Sequence, residues 1–435
     1  MLKILHLSTY DVVGGAAKAA MRLHLGLLGV GADSEMRVRF QGGRFPRTSM
    51  LHVSKGIYSR VRRQIRLRTI YRPWERRTRE LRDGAEVHLH PFSWYDRDIA
   101  AATAKADVVH LHWGYSFFDW PSILKWKQRP PMIITLHDLH PITGGCVYPQ
   151  GCFNFKTGCG NCHQLRSPSP NDQSARLLDL KHRTIQSYGS RNVTLLATTP
   201  WVLDMARSST IGSRLDCECI PLGLDLSTYS SSSRRDARLK LGIEEGIPVI
   251  IGVAHRLDTL RKGWQIFAHT VNALAIRYPS LLVLTAGESN LQFPIGARHR
   301  HFDFISAESD LADCYAAADL MLAPSLEEAF GQTVIEAMAS GTPVLGSDTW
   351  GPSTIIEHGK TGFLARTGEV GSFIHHADIA LSNPRQLEKL GQNARLAVGE
   401  KYSQSSSVQS HLALYQKVAG SDYRSKRSAA DTKIE

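Results

Sequence analysis

Short runs that are apolar on both faces recur along the chain, separated by segments long enough to form helices. In the first half they are Lys3–Ser8, Val108–Trp113, Met132–Asp138 and Val193–Thr199; in the second, Val249–Ala254, Leu281–Ala286, Leu320–Pro324 and Pro343–Ser347. A strand with no polar face must be covered on both sides, which parallel sheets achieve by crossing over through helices. The pattern therefore predicts two doubly wound, Rossmann-like α/β domains facing a cleft. The length of 435 residues suits two domains of about 200 residues each. The boundary is expected after Ile220-Pro221-Leu222-Gly223, because the polar stretch Ser227-Thr-Tyr-Ser-Ser-Ser-Ser offers few core contacts, which gives domains over 1–222 and 223–400. From Ser421 to the end the sequence is polar and predicts a disordered tail, 421–435.

Composition is that of a globular protein, 42% hydrophobic and 21% charged. The longest apolar runs, such as Pro248–Ala254, fall far short of the roughly 18 residues a membrane-crossing helix needs. The opening MLKILHLSTYDVVGG turns polar at Ser8 and reads as a first strand rather than a secretion signal, so a cytoplasmic location is expected. The net charge of +12 is concentrated: Lys55–Arg82 holds eleven basic residues against Glu75 and Glu80, an excess of +9. Ile57, Tyr58, Val61, Ile65, Ile70, Tyr71 and Trp74 are interleaved at helical spacing, which predicts a basic amphipathic helix or pair of helices. Such a face suits an anionic membrane surface; the alternative is a solvated basic face packed on the domain by its apolar side. No nucleic-acid module surrounds it, and no nucleic-acid partner is expected.

Four stretches carry candidate chemistry. Gly14-Gly15 follows the first strand and opens a helix, where bare backbone can approach a phosphate or a sugar. His112-Trp113 and His137-Asp138 end two apolar runs, and side chains at the carboxyl ends of parallel strands face the ligand crevice. "HRLDTLRKG" places Arg256 and Lys262 in a loop between a strand and a helix, where two cations suit a diphosphate leaving group. "EAFGQTVIE" brackets Gly331 with Glu328 and Glu336, so that amides near Gly331, Gln332 and Thr333 can receive phosphate oxygens while the carboxylates accept sugar hydroxyls.

Taken together, Gly14-Gly15, His137, Arg256 to Lys262 with Gly263, and E-x7-E followed by "AMASGTPVLGSD" resemble the retaining GT-B glycosyltransferases of the glycosyltransferase 4 family, over residues 3 to about 418. "HLHW", "TLHDLHPITGGC" and "GCGNC" resemble more narrowly a bacterial exopolysaccharide and colanic-acid-type branch. The resemblance implies that Arg256 and Lys262 bind the donor diphosphate, Glu336 the ribose and Glu328 the donor sugar. It further implies that His137 approaches the sugar or the reacting centre and that Gly15 lies near the diphosphate or acceptor. Gly14, His112 and Trp113 are acceptor-side candidates. The segment 401–418 looks like the family's helix returning to the amino-terminal domain. Where the family usually has a glycine before the arginine, His255 stands here. The implied partners are a nucleotide-sugar donor and a glycan or polyprenyl-diphosphate-linked acceptor at the inner face of the cell membrane. With no Asp-x-Asp in the expected place, no catalytic metal is expected. The alternatives are a sugar-nucleotide epimerase of the same fold or a non-catalytic carbohydrate- or lipid-binding protein.

One further feature lies outside this scheme. Cys146, Cys152, Cys159 and Cys162 fall within seventeen residues, with the last pair at knuckle spacing, so a structural zinc is a candidate beside small buried thiols or a redox-active pair.

Overall fold

The computed structural model describes residues 1–53, 56–75, 81–126, 128–230, 232–289 and 295–431. The chain forms two compact units, one of Met1–Ile220 with Ser407–Glu435, the other of Pro221–Ser406.

The first unit is a seven-stranded sheet, all of its neighbouring strands parallel. Its strands are β1 (Lys3–Tyr10), β2 (Asp33–Phe40), β3 (Thr48–Met50), β4 (Val108–Leu111), β5 (Met132–Leu136), β6 (Val193–Ala197) and β7 (Asp216–Cys219), in the order β3-β2-β1-β4-β5-β6-β7. Every residue of β4, β5 and β6 is buried, as their unbroken apolar runs anticipate. By contrast β2 alternates buried and part-exposed positions, and β3 and β7 are short edge strands. Polar side chains on one face hide such strands from a search for apolar runs.

The second unit has six parallel strands, β8 (Val249–Arg256), β9 (Leu282–Glu288), β10 (Arg298–Phe302), β11 (Leu320–Ala323), β12 (Val344–Ser347) and β13 (Gly362–Ala365), ordered β10-β9-β8-β11-β12-β13. In both units the chain winds outward one way from the first strand, then returns and winds the other way. The crevice where such winding reverses lies between β1 and β4 in the first sheet and between β8 and β11 in the second.

The helix Gln404–Asp431 breaks at Gly420 (φ 57°, ψ −162°). Ahead of the break, Val408, Leu414 and Tyr415 pack with Ile4, Leu27, Val108 and Leu196 in the core of the first unit. The backbone is helical beyond Ser421 as far as Asp431, where a disordered tail was expected, and residues 432–435 lie outside the described residues.

Candidate functional site

In the second unit the chain leaves β8 through Arg256, makes one turn at Leu260–Lys262 and enters the helix Trp264–Arg277 at Gly263. Gly263 takes φ 69°, and a Cβ there would stand 2.0 Å from the Pro324 carbonyl oxygen, so glycine lets this loop close against the end of β11. Closure brings Lys262 onto Glu328: Nζ pairs with Oε2, and Arg261 Nη1 lies 3.6 Å from the same oxygen. Burial pushes the Glu328 carboxyl up, but Lys262 and Arg261 more than offset it and hold the group below its ordinary value. Glu328 is therefore an anion at neutral pH. Arg256 stands apart on the exposed side, forked onto Asp258 through Nη2–Oδ2 at 2.7 Å and Nε–Oδ1 at 3.1 Å.

Past Glu328, Gly331 (φ 104°) opens the helix Gln332–Ala339 as an N-cap that offers no side chain of its own. The dipole and first-turn amides at Gly331, Gln332 and Thr333 favour an anion there. One turn further, Glu336 is only 5% exposed, and the Tyr315 hydroxyl donates to its Oε2 at 3.3 Å. Burial, and then the Glu336 charge, hold the Tyr315 phenol well above its ordinary value, so it remains a donor that fixes the carboxylate. Lys262, Glu328 and the helix bearing Glu336 are thus gathered at the ends of β8 and β11, which are paired neighbours.

The first unit builds a different assembly at its own reversal point. Gly14 (φ 82°) begins the helix Gly15–Gly29 after β1. Beside it, β1 and β4 set His6 opposite His110, and the alternation of β4 carries His112 to the same side. His6 Nδ1 lies 3.0 Å from His112 Nε2, and His112 Nδ1 lies 3.2 Å from His137 Nε2, a chain of three imidazoles that begins in the core and ends at the carboxyl end of β5. His112, expected toward a substrate, is 4% exposed and spends both nitrogens on its neighbours. Burial, and then surrounding imidazoles, hold His6, His110 and His112 far below the ordinary histidine value, and His137 falls to about 3 by burial and then His411. All four are neutral near pH 7.

His6, His110 and His112 are the only such group among the described residues whose ligand atoms lie within 4.8 Å of one another. Both His110 nitrogens are already engaged, by the Tyr415 hydroxyl at 2.7 Å and Thr135 Oγ1 at 2.6 Å, so the cluster reads as a hydrogen-bonded network. Trp113 donates its indole N–H to Asp138 Oδ2 at 3.1 Å and stacks near Tyr10, which in turn stacks on Phe40 at 5.1 Å.

Residues 234–397 match the family described as Glycosyl transferases group 1. The matched region contains Arg256, Lys262, Glu328 and Glu336. A D-inositol 3-phosphate glycosyltransferase of Nocardia farcinica is 34% identical over 193 residues, 41% of this chain and 42% of the relative, so the chain spans less than half of that relative's length. Among solved structures, sucrose-phosphate synthase from Thermosynechococcus elongatus covers 96% of this chain and 99% of its own with a TM-score of 0.67 at 19% identity. HepE of Anabaena in complex with UDP-glucose covers 94% of this chain and 98% of its own with a TM-score of 0.64 at 16% identity. The fold is GT-B, two parallel-sheet Rossmann-like domains.

Three residues escape a reading of the sequence, two around the group 1 motifs and one in the first unit. Arg261 sits inside "LRKG" beside Lys262, with no spacing to mark it, and shares Glu328 with that neighbour. Tyr315 lies on the helix Glu308–Ala317, with no motif to mark it as the partner of Glu336. His6 is one polar residue in an apolar strand, and the alternation His110-x-His112 opposite it is the signal that could have found it.

The basic segment is helical over Ile57–Arg66 and continues through a wider turn at Leu67–Tyr71 to Arg72–Glu75; Lys55 and 76–80 lie outside the described residues. The segment divides: Tyr71 is buried and stacks on Trp94 at 4.2 Å, and Trp74 packs against Leu89 and Leu177, as the packed-apolar alternative expects, whereas the helix Ile57–Arg66 is oriented the other way. Arg66 turns inward to Asp96 at 3.0 Å and Asp119 at 2.7 Å, with Arg62 also on Asp96, whereas Ile57, Tyr58, Val61 and Ile65 are 81%, 68%, 52% and 56% exposed. No helix among the described residues is long and apolar enough to cross a membrane.

Proposed function

We propose that the chain is a retaining hexosyltransferase that moves a sugar from a nucleotide-sugar donor to a growing glycan or a polyprenyl-diphosphate-linked acceptor in cell-surface polysaccharide assembly. The observation that carries this reading is the closure of Lys262 onto Glu328 beside the glycine-opened helix of Glu336, at the reversal point of the unit that matches the group 1 family. In this reading the donor diphosphate lies on the amides at Gly331–Thr333 and draws on Lys262, Arg261 and Arg256. Glu336, held by Tyr315, accepts the ribose hydroxyls, and Glu328 accepts those of the sugar. The lysine ammonium has three donors, so Glu328 and a phosphate oxygen can share it.

Glu328 and Glu336 are both engaged in holding hydroxyls, which favours same-face substitution. The leaving phosphate takes the acceptor's proton, and the cations stabilise the charge it gains as the sugar bond breaks. That need for charge is met by side chains, and the reading assigns no catalytic metal. His137 presents a neutral imidazole toward the sugar or reacting centre, and Gly14 and Gly15 present backbone. Trp113 and Tyr10 offer part-exposed aromatic faces at the acceptor side.

The exposed Ile57, Tyr58, Val61 and Ile65, flanked by the exposed Arg60 and Arg68, suit attachment to the anionic inner face of the cell membrane, where lipid-linked acceptors are found. A small phosphorylated polyol is the second acceptor reading, favoured by the name of the Nocardia relative. Incubation with a panel of nucleotide sugars and both acceptor classes, with the anomeric configuration of the product read by NMR, tests the proposal. The expected product keeps the donor's configuration and forms on the glycan or lipid-linked acceptor. Inversion, or an epimerised donor formed without acceptor, would overturn it.

A further inference from the structure

Between β5 and the helix Gln173–Tyr188 the chain runs from His137 to Asp172 with nothing more regular than the three-residue turns His140–Ile142, Asn154–Lys156 and His163–Leu165. A compact segment of this length has too few ladder hydrogen bonds to hold itself, and other ties must fix it. Four of the chain's seven cysteines fall inside it, and all four line one cavity. None of the seven is in a disulfide.

One side of the cavity already bonds a sulfur: Gly144 N–H donates to Cys159 Sγ at 3.3 Å. A Cβ on Gly144 would stand 2.9 Å from the Cys159 Cβ and 2.3 Å from the Ser174 carbonyl oxygen, and one on Gly160 would stand 2.2 Å from the Pro170 carbonyl oxygen. The bare backbone at these two positions lets the cysteine loop fold down on the helix that follows. Lys181, fully buried on that helix, donates through Nζ to the carbonyls of His140 and Thr143 and so ties the helix to the start of the segment. His163 also lines the cavity, with a buried Nε2 that has no partner.

We propose that Cys146, Cys152, Cys159 and Cys162 bind one structural zinc ion that pins this segment beside His137. As placed, no three of the sulfurs lie within 4.8 Å of one another, and the ion would draw them in until each stands about 2.3 Å from the zinc. Binding displaces the four thiol protons to solvent, and four thiolates leave zinc no open position, so the ion holds structure and takes no substrate. A metal at His6, His110 and His112 would have to break into hydrogen bonds that engage five of their six ring nitrogens, with one another and with His137, Thr135 and Tyr415. The proposal is independent of the transfer reaction.

Metal analysis of the full chain purified without chelator tests it, together with cobalt substitution of the wild-type protein read by thiolate-to-metal absorption. About one zinc per chain is expected. Cobalt should report four thiolates, and chelation should speed hydrogen exchange across 138–172 while leaving the second unit unchanged. Cys159→Ser should lose the metal and His163→Ala should keep it. Under about a tenth of a zinc per chain, with no uptake from added zinc and all seven thiols reactive, would overturn the proposal. So would full metal content in Cys159→Ser, or a cobalt spectrum without thiolate bands, which needs no variant to fold.

Discussion

At the scale of single residues, the proposed function separates groups of the second unit that would act on a ligand from groups that would aim them. Lys262 bridges the two loops through Glu328, and in the proposed function its charge follows the departing diphosphate. Lys262→Ala is expected to cut kcat/KM by roughly 100- to 1000-fold, equivalent to about 2.7–4 kcal/mol of transition-state stabilisation, with an unchanged circular-dichroism spectrum. A folded variant with normal turnover would remove Lys262 from the site. In the first unit, the imidazole chain makes a sharper prediction. His6 Nε2 is buried without a partner, and a buried bare N–H is the rarer defect, so the proton belongs on His6 Nδ1. It then donates to His112 Nε2, His112 Nδ1–H donates to His137 Nε2, and His137 is left with its own proton on Nδ1. Imidazole nitrogen shifts from NMR should show the Nδ1–H form of His137; the Nε2–H form would reverse the chain.

At the scale of elements, legibility in the sequence followed burial. The strands β1, β4, β5, β6, β8, β9, β11 and β12 were all visible as apolar runs, each with ends within a few residues. The edge strands β3, β7, β10 and β13 and the neighbouring β2 were not: β2, β3, β7 and β10 carry polar side chains that no run detects, as in Arg298–Phe302, RHRHF, and β13, GFLA, is only four residues long. The helix Ile57–Arg66 shows the same limit differently. Its spacing revealed an amphipathic helix, but only Asp96 and Asp119, distant in sequence, decide that arginines face the protein and aliphatic side chains face outward. Each cation near an anionic surface is worth about 1 kcal/mol, and the apolar face adds burial in the interface. Flotation should show binding to anionic vesicles that weakens with salt and weakens further in Val61→Asp. Equal recovery with neutral and anionic vesicles, or none with either, would remove the membrane from the account.

At the scale of the whole molecule, the two units differ in how they carry histidine. In the first, burial holds His6, His110, His112 and His140 well below the ordinary value, takes His88 and His411 to about 4 and His137 to about 3. In the second, only the partly exposed His299 and His376 are lowered among the described residues. A histidine whose value falls on folding binds more protons unfolded, so its contribution is complete above about pH 6.5 and is lost as pH drops toward the folded value. The slope approaches about 1.4 kcal/mol per pH unit for each such group. The first unit is therefore expected to lose hydrogen-exchange protection before the second as pH falls from 6.5 toward 4. Earlier loss in the second unit would contradict this assignment of the acid-sensitive groups.

The central claim is that the second unit holds a nucleotide sugar on the residues gathered at the ends of β8 and β11. Calorimetric titration of the full chain with UDP-, GDP- and ADP-sugars tests it most directly. One of the three should bind at a single site per chain, and Glu336→Ala, folded by circular dichroism, should bind it at least tenfold more weakly, a loss of about 1.4 kcal/mol or more. No binding by any of them, or unchanged affinity in the folded variant, would contradict it.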